Sequence, residues 1–269
     1  MSEYIGFASA VVVGLLVVLI GAGGSILTVP VLVYLFHLSP VVATGYALLI
    51  VGTTSIISTL SYIKRKMVNY RIAIIFGIPS VTAVYLTRRF MLPALPDEMF
   101  SFGEYVITKD AFLMLLMGVL IFVSATTMVV VKRNYYDEEE LNLNSFYYTR
   151  MILIEGLVIG ILTGLVGTGG GFMIIPALVI MCNLPIKTAI GTALLIASAK
   201  SGIGFLGETA TNADIDYELI FQFTCFALVG IAIGTFFSDK VSGYKLRHLF
   251  GYFLYLVGAV ILGKELISL

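Results

Sequence analysis

Eight apolar runs dominate the chain, at 4–20, 41–62, 72–90, 111–131, 151–166, 188–206, 218–237 and 249–267. Each approaches the length a helix needs to cross a bilayer, about 20 residues with about 17 as a lower limit. A soluble domain is about 25% charged, whereas here 12% of residues are charged and 59% are hydrophobic. Burying that much apolar surface requires lipid, so the chain reads as an integral membrane protein. The runs are continuous rather than alternating, which disfavours barrel strands and leaves helices. Lys plus Arg and Asp plus Glu both total 16. That zero balance argues against nucleic acid as a partner, because phosphate binding needs a basic excess. No Lys or Arg precedes the first run in MSEYIG, so this run lacks a leader's basic start and is expected to be retained as structure. Cys182 and Cys225 sit inside apolar runs and read as small core residues. With no Trp in the chain, Tyr must supply an aromatic belt. Tyr62, Tyr70, Tyr135, Tyr136, Tyr147, Tyr148, Tyr217 and Tyr244 fall at segment ends, where a belt belongs.

Two further apolar segments, 25–36 and 172–182, are short, and each follows a glycine cluster. As helices they are about 17 Å long, roughly half the hydrocarbon core. They also mark a duplication. GAGGSILTVPVLVYLFHLSPVVATGYALLI starts at Gly21 and GTGGGFMIIPALVIMCNLPIKTAIGTALLI at Gly167; at a constant offset of 146, residues 21–60 match 167–206 at 16 of 40 positions. Composition alone gives about 4 matches in such apolar sequence. A repeat near half the chain length means two fused halves. The reading is an all-α membrane fold of two five-segment repeats, 1–131 and 151–269, joined by the linker 132–150 with its acidic run Asp137 to Glu140.

Basic residues orient the halves. Lys64, Arg65, Lys66 and Arg71 follow the run 41–62 and place that loop in the cytoplasm. The equivalent loop 207–217 has no Lys or Arg but carries Glu208, Asp214 and Asp216. Opposite bias in equivalent loops implies inverted halves. Tracing from that anchor puts 132–150, 183–187 and 238–248 inside as well, with both termini outside. The cytoplasmic side then holds 11 basic residues against four outside: Arg88, Arg89, Lys109 and Lys264. The loop 91–110, with Pro93 and Pro96, reads as an external cap.

The chemistry concentrates where helices break. Backbone interrupted inside lipid leaves polar groups unpaired unless they line a cavity or are buried in protein. A short helix starting there presents free N–H groups and a partial positive charge, a natural seat for an anion. Paired breaks at equivalent positions make Gly21, Gly23, Gly24 and Ser25, and Gly167, Gly169, Gly170 and Gly171, candidate substrate-binding residues. Close helix packing is the plainer reading of such glycines. Lys200 lies inside the run 188–206 with no acidic residue at i±3 or i±4. A charge there costs at least about 2.5 kcal/mol, so it should face a partner or a cavity, and an anion can be that partner. Its match in the first half is Thr54. Thr54, Ser55, Ser198 and Ser201 are candidate hydroxyl ligands, with bonding to their own helix carbonyls as the alternative. His37 and Glu155 are candidates for coupling to an ion, a proton or sodium. No HExxH and no aspartate in the middle of a run supports an intramembrane enzyme, and no metal or cofactor is called for.

At GTGGGFMIIPAL with TAIGTALLI, and its echo GAGGSILTVPVL with ATGYALLI, the chain resembles the TauE/SafE sulfite-exporter family, also called the toluenesulfonate-uptake permeases. The resemblance covers nearly the whole chain and carries the family pattern onto Gly21, Gly23, Gly24, Pro30, Gly167, Gly169, Gly170, Gly171 and Pro176. It implies secondary transport of sulfur-containing or small organic anions, such as sulfite, sulfonates or related carboxylates. The chain departs from the pattern at Ser25, opposite Gly171. An anion channel or a non-transporting scaffold subunit is the alternative reading.

Overall fold

In the computed structural model the described residues are 2–20, 23–102, 105–130, 146–209, 215–237 and 243–268. The first half holds helices α1 (Ser2–Ile20), α2 (Gly23–Tyr34), α3 (Pro40–Lys64) and α4 (Tyr70–Leu86). Helix α4 runs into a π-helical turn, Thr87–Met91, and one further turn, α5 (Leu92–Ala94). Strands β1 (Glu98–Phe102) and β2 (Tyr105–Thr108) lead to α6 (Lys109–Val130). The second half holds α7 (Phe146–Val166), α8 (Gly171–Ile180), α9 (Ile186–Thr209), α10 (Tyr217–Phe237) and α11 (Gly243–Ser268). Among the described residues, seven helices are long and apolar enough to cross a membrane, and Ile5–Leu19 and Gly171–Ile180 are shorter apolar helices. The protein is therefore an all-α, multi-pass integral membrane protein.

The boundaries follow local chemistry. Ser39 accepts from Val42 N at the head of α3, beside Pro40 in the first turn, where a missing N–H costs nothing. Asn69 Oδ1 accepts from Ile72 N to start α4, and Asp216 Oδ1 accepts from Leu219 N to start α10. The two short helices end alike. His37 and Asn183 adopt left-handed φ of 57° and 54°, and Leu38 N and Leu184 N donate back to Leu32 O and Leu178 O, both at 3.2 Å. That six-to-one bond closes a helix end by satisfying its last carbonyls.

The packing is reciprocal between halves. Helix α1 packs along α10, and α7 along α4. Both contacts rest on glycine: a Cβ at Gly230 would strike Val11 O, and one at Gly160 would meet Ser80 O at 2.7 Å. Helices α3 and α9, which hold equivalent places, run antiparallel: Gly45 lies on Glu208, Gly52 on Ser201, and Gly191 on Tyr62. Helices α6 and α11 also run antiparallel, with Gly118 against Leu262 and Gly251 against Val129. A matched pair of clasps ties the halves: Tyr46 Oη accepts from Asp216 N at 2.7 Å, and Thr192 Oγ1 accepts from Asn69 N at 2.9 Å. Residues 46 and 192 are equivalent at the offset of 146. Each half thus uses its third helix to hold the N-cap of the other half's fourth.

Three expectations need correction. Arg88 is not a surface charge but is 0% exposed, and Glu208 is not in a loop but in the last turn of α9, 3% exposed. Tyr62 is not in an aromatic belt; it is buried and donates to Val18 O at 2.9 Å. Tyr70, Tyr148 and Tyr217 are exposed near helix ends, as a belt requires. The expected cap 91–110 contains the β1–β2 hairpin, pairing Phe100 with Ile107. The linker residues 131–145 lie outside the described residues.

The glycine contacts predict unequal effects. Gly230→Leu places its side chain in the backbone of α1 and should cost about 1–3 kcal/mol or more. Gly263→Leu, with nothing within 4 Å of the added Cβ, should cost little. Thermal unfolding of the two detergent-solubilised variants checks this; equal melting temperatures would contradict glycine-dependent α1–α10 packing.

Candidate substrate site at the second glycine turn

Helix α7 ends at Val166 and α8 begins at Gly171. Between them Gly167, Gly169 and Gly170 have φ of +71°, +64° and +72°. This left-handed region strains any L side chain, so the turn depends on glycine for its backbone alone. The turn also has no room for side chains. A Cβ at Gly170 would lie 2.5 Å from Lys200 Nζ, one at Gly169 would lie 2.7 Å from Ser201 Oγ, and one at Gly167 would strike Thr44 and Arg88 Nη2. The glycines bring two cations and two hydroxyls directly onto the backbone.

Helix α9 supplies Lys200 and Ser201. Lys200 Nζ donates to Thr163 Oγ1 at 2.8 Å, while the Thr163 hydroxyl donates to Ile159 O at 2.6 Å. Among the described residues Lys200 has no carboxylate partner. An ammonium carries three donors, and Thr163 takes one. Ser201 Oγ and Thr168 Oγ1 are buried with no hydrogen-bond partner. Unpaired buried hydroxyls cost about 1–3 kcal/mol each, a cost a bound oxyanion would remove. At the start of α8, Met173 N and Ile174 N donate to Gly170 O at 3.0 Å, whereas the N–H groups of Gly171 and Phe172 have no carbonyl within their own helix to bond. They point the positive end of the helix at the same place.

The π-helical turn after α4 supplies Arg88. Its Nη1 bonds Glu208 Oε2 and Thr44 Oγ1, each at 3.1 Å, and its Nη2 donates to Leu165 O at 3.4 Å. The guanidinium therefore joins α3, α7 and α9 around Gly167. Sequence reading missed this pair, although both charges border apolar runs and Gly45, beside Glu208, is a conspicuous small residue. Among the described residues, the buried charges of the cluster are two cations, Lys200 and Arg88, and one carboxylate, Glu208. Arg88, Thr163, Thr168, Lys200 and Ser201 are all 0% exposed, so the cluster is closed to solvent. Ser201, beside Lys200, sits where Val51 and Gly52 of α3 meet Gly169, midway along that 25-residue helix, while Arg88 and Glu208 lie nearer its N-terminal end, at Thr44 and Gly45. A separate crevice of about 360 Å³ between α4 and α9, lined by Gly77, Ile78, Ile196 and Ala199, is apolar.

The other expected site residues lie elsewhere or are otherwise engaged. Thr54 Oγ1 donates to Ile50 O at 2.7 Å and Ser198 Oγ to Leu195 O at 2.8 Å, so both hydroxyl protons go to their own helices. Ser55 is buried in α3 at the position equivalent to Ser201. Gly21 lies outside the described residues, and Gly23, Gly24 and Ser25 form the first turn of α2. Gly171 is the first residue of α8. His37 is exposed at the far end of α2 from its glycine turn. Glu155 is half-buried in α7 with Oε2 lacking a partner, within electrostatic reach of Cys182 past the C-terminal end of α8. The structure does not bring His37 or Glu155 into the Lys200 cluster.

An all-helical membrane bundle with a broken helix and buried cations at its centre has the organisation of a membrane transporter. The chain belongs to the sulfite exporter TauE/SafE family, whose model matches residues 6–261. It is 30% identical over 199 residues to "Probable membrane transporter protein YunE" of Bacillus subtilis, covering 69% of this chain and 70% of that one. It is 25% identical to a "Probable membrane transporter protein" of Xylella fastidiosa over 100% of this chain and 98% of the other. It is 28% identical to "Probable membrane transporter protein MJ0441" of Methanocaldococcus jannaschii over 86% and 81%. No solved structure matches the chain.

Removing one member of a buried ion pair strands the other, at a cost of about 3–5 kcal/mol. Arg88→Met should therefore unfold at markedly lower temperature in detergent, and Arg88→Met/Glu208→Met should recover most of the loss. A double variant no more stable than the single would show that the pair does not hold α4, α7 and α9 together.

Proposed function

We propose that the protein is a secondary transporter of small sulfur-containing or organic anions, such as sulfite, sulfonates or related carboxylates, and that it works by alternating access and not as an enzyme. The observation that carries this reading is Lys200, wholly buried, without a carboxylate partner among the described residues, against a helix-breaking glycine turn. Its ammonium supplies the attraction, the α8 N-terminus adds positive potential, and the unpaired Thr168 and Ser201 hydroxyls fix the oxyanion's orientation. Burial of the whole cluster favours a carrier over a channel, which needs a continuous water path. The halves 1–131 and 151–269 act as inverted repeats rocking about the site, with 132–150 as a cytoplasmic linker; the antiparallel α3–α9 and α6–α11 pairs support this. The first glycine turn has Thr54 where the second has Lys200, so substrate charge is met at the second turn.

Lys200→Met keeps length and removes charge. In proteoliposomes it should abolish saturable anion uptake, equivalent to about 10- to 150-fold in affinity, while the protein stays folded. Lys200→Arg should also impair uptake, because a larger planar fork would replace a compact ammonium packed against Gly170. Undiminished uptake by the Met variant would remove Lys200 from the site. Cysteines introduced as Lys66→Cys and Asn212→Cys should label from opposite sides of intact cells; labelling from one side would overturn the inverted arrangement.

A further inference from the structure

We propose that Glu208 makes this site selective for singly charged anions by cancelling Arg88. The inference rests on the anion-site reading above and goes beyond it to the charge state of the substrate. Two cations abut one four-residue turn: Arg88 at Gly167 and Lys200 at Gly170. Their environments differ in one respect. Arg88 is paired with a carboxylate at 3.1 Å, whereas among the described residues Lys200 donates to the Thr163 hydroxyl and to no carboxylate. The buried cluster therefore presents one net positive charge to whatever occupies it. Asp110, which accepts from Val41 N at the head of α3, is part-exposed and stands outside the buried set. A monoanion neutralises the cluster. A dianion leaves one negative charge in a closed, low-dielectric interior, where an uncompensated charge is strongly disfavoured.

The identity of the neutralising residue is also informative. At the equivalent place in the first half stands Tyr62, an uncharged residue that donates to Val18 O. A hydroxyl suffices to tie a third helix to its neighbours, so the carboxylate at 208 does something a hydroxyl cannot. It sets the charge of the cluster. For a substrate such as sulfite the carried form is then hydrogen sulfite, and sulfonates fit as they are.

Methanesulfonate and sulfate are both tetrahedral at sulfur and similar in size but differ by one charge. Initial uptake of each into proteoliposomes, at equal concentration and fixed pH, gives a selectivity ratio. The wild type should favour methanesulfonate by about tenfold or more, one buried unit charge being worth at least that factor. Glu208→Gln retains an oxygen that can accept from Arg88 but raises the net charge by one, and should shift the ratio toward sulfate by about tenfold. Arg88→Gln/Glu208→Gln restores a single net charge and should return the preference for methanesulfonate, at whatever rate it runs. A Glu208→Gln protein with the wild-type ratio, or a double variant that takes both anions equally, overturns charge selection while leaving the anion site standing. Uptake of neither anion by the wild type overturns both.

Discussion

Everything at the centre of this protein follows from one interruption: the backbone of α7 stops at Val166 and restarts at Gly171, deep among buried residues. In an apolar interior, each unpaired N–H or C=O costs several kcal/mol unless something meets it. Three left-handed glycines let the chain turn there, and their missing side chains admit Lys200, Arg88, Ser201 and Thr44. A side chain at any of these glycines would strain the backbone, and at Gly167 or Gly170 it would also evict a charged group. The break in the helix and the cation cluster are therefore one feature, since neither is tenable without the other.

The two halves use one construction with different chemistry. The clasps at Tyr46 and Thr192, the left-handed ends at His37 and Asn183, and the glycine contacts of α1–α10 and α4–α7 recur in matched positions. The polar residues at the matched sites do not recur. Thr54 faces its own helix carbonyl where Lys200 faces Thr163, and Tyr62 stands where Glu208 binds Arg88. The frame is symmetric between the halves, whereas the buried charges gather at one turn only.

The frame was legible in the sequence because hydropathy and glycine act locally. The apolar runs became helices close to the expected limits, and the short helices began at Gly23 and Gly171 beside their glycine clusters. Lys200 stood out because a lone charge in an apolar run must be explained. The Arg88–Glu208 pair did not, because its partners are 120 residues apart and each looked like a loop charge at the end of a run. Only packing shows that the π-helical turn carries Arg88 inward. The hydroxyls were equally ambiguous: Thr54 and Ser198 bond their own helices, while Thr168, between two glycines, has no carbonyl in reach and was overlooked.

The proposal tested most directly is that a transported anion binds among Thr168, Ser201 and Lys200. Cys182 and Cys225, which are not disulfide-bonded, can be replaced by alanine so that Thr168→Cys is the sole thiol. The decisive measurement is its rate of modification by a small anionic thiol reagent, with and without saturating methanesulfonate. Modification should be slow and strongly suppressed by methanesulfonate, with no such protection once Lys200 is also replaced by methionine. Modification that is indifferent to the anion in the presence of Lys200 would contradict this proposal.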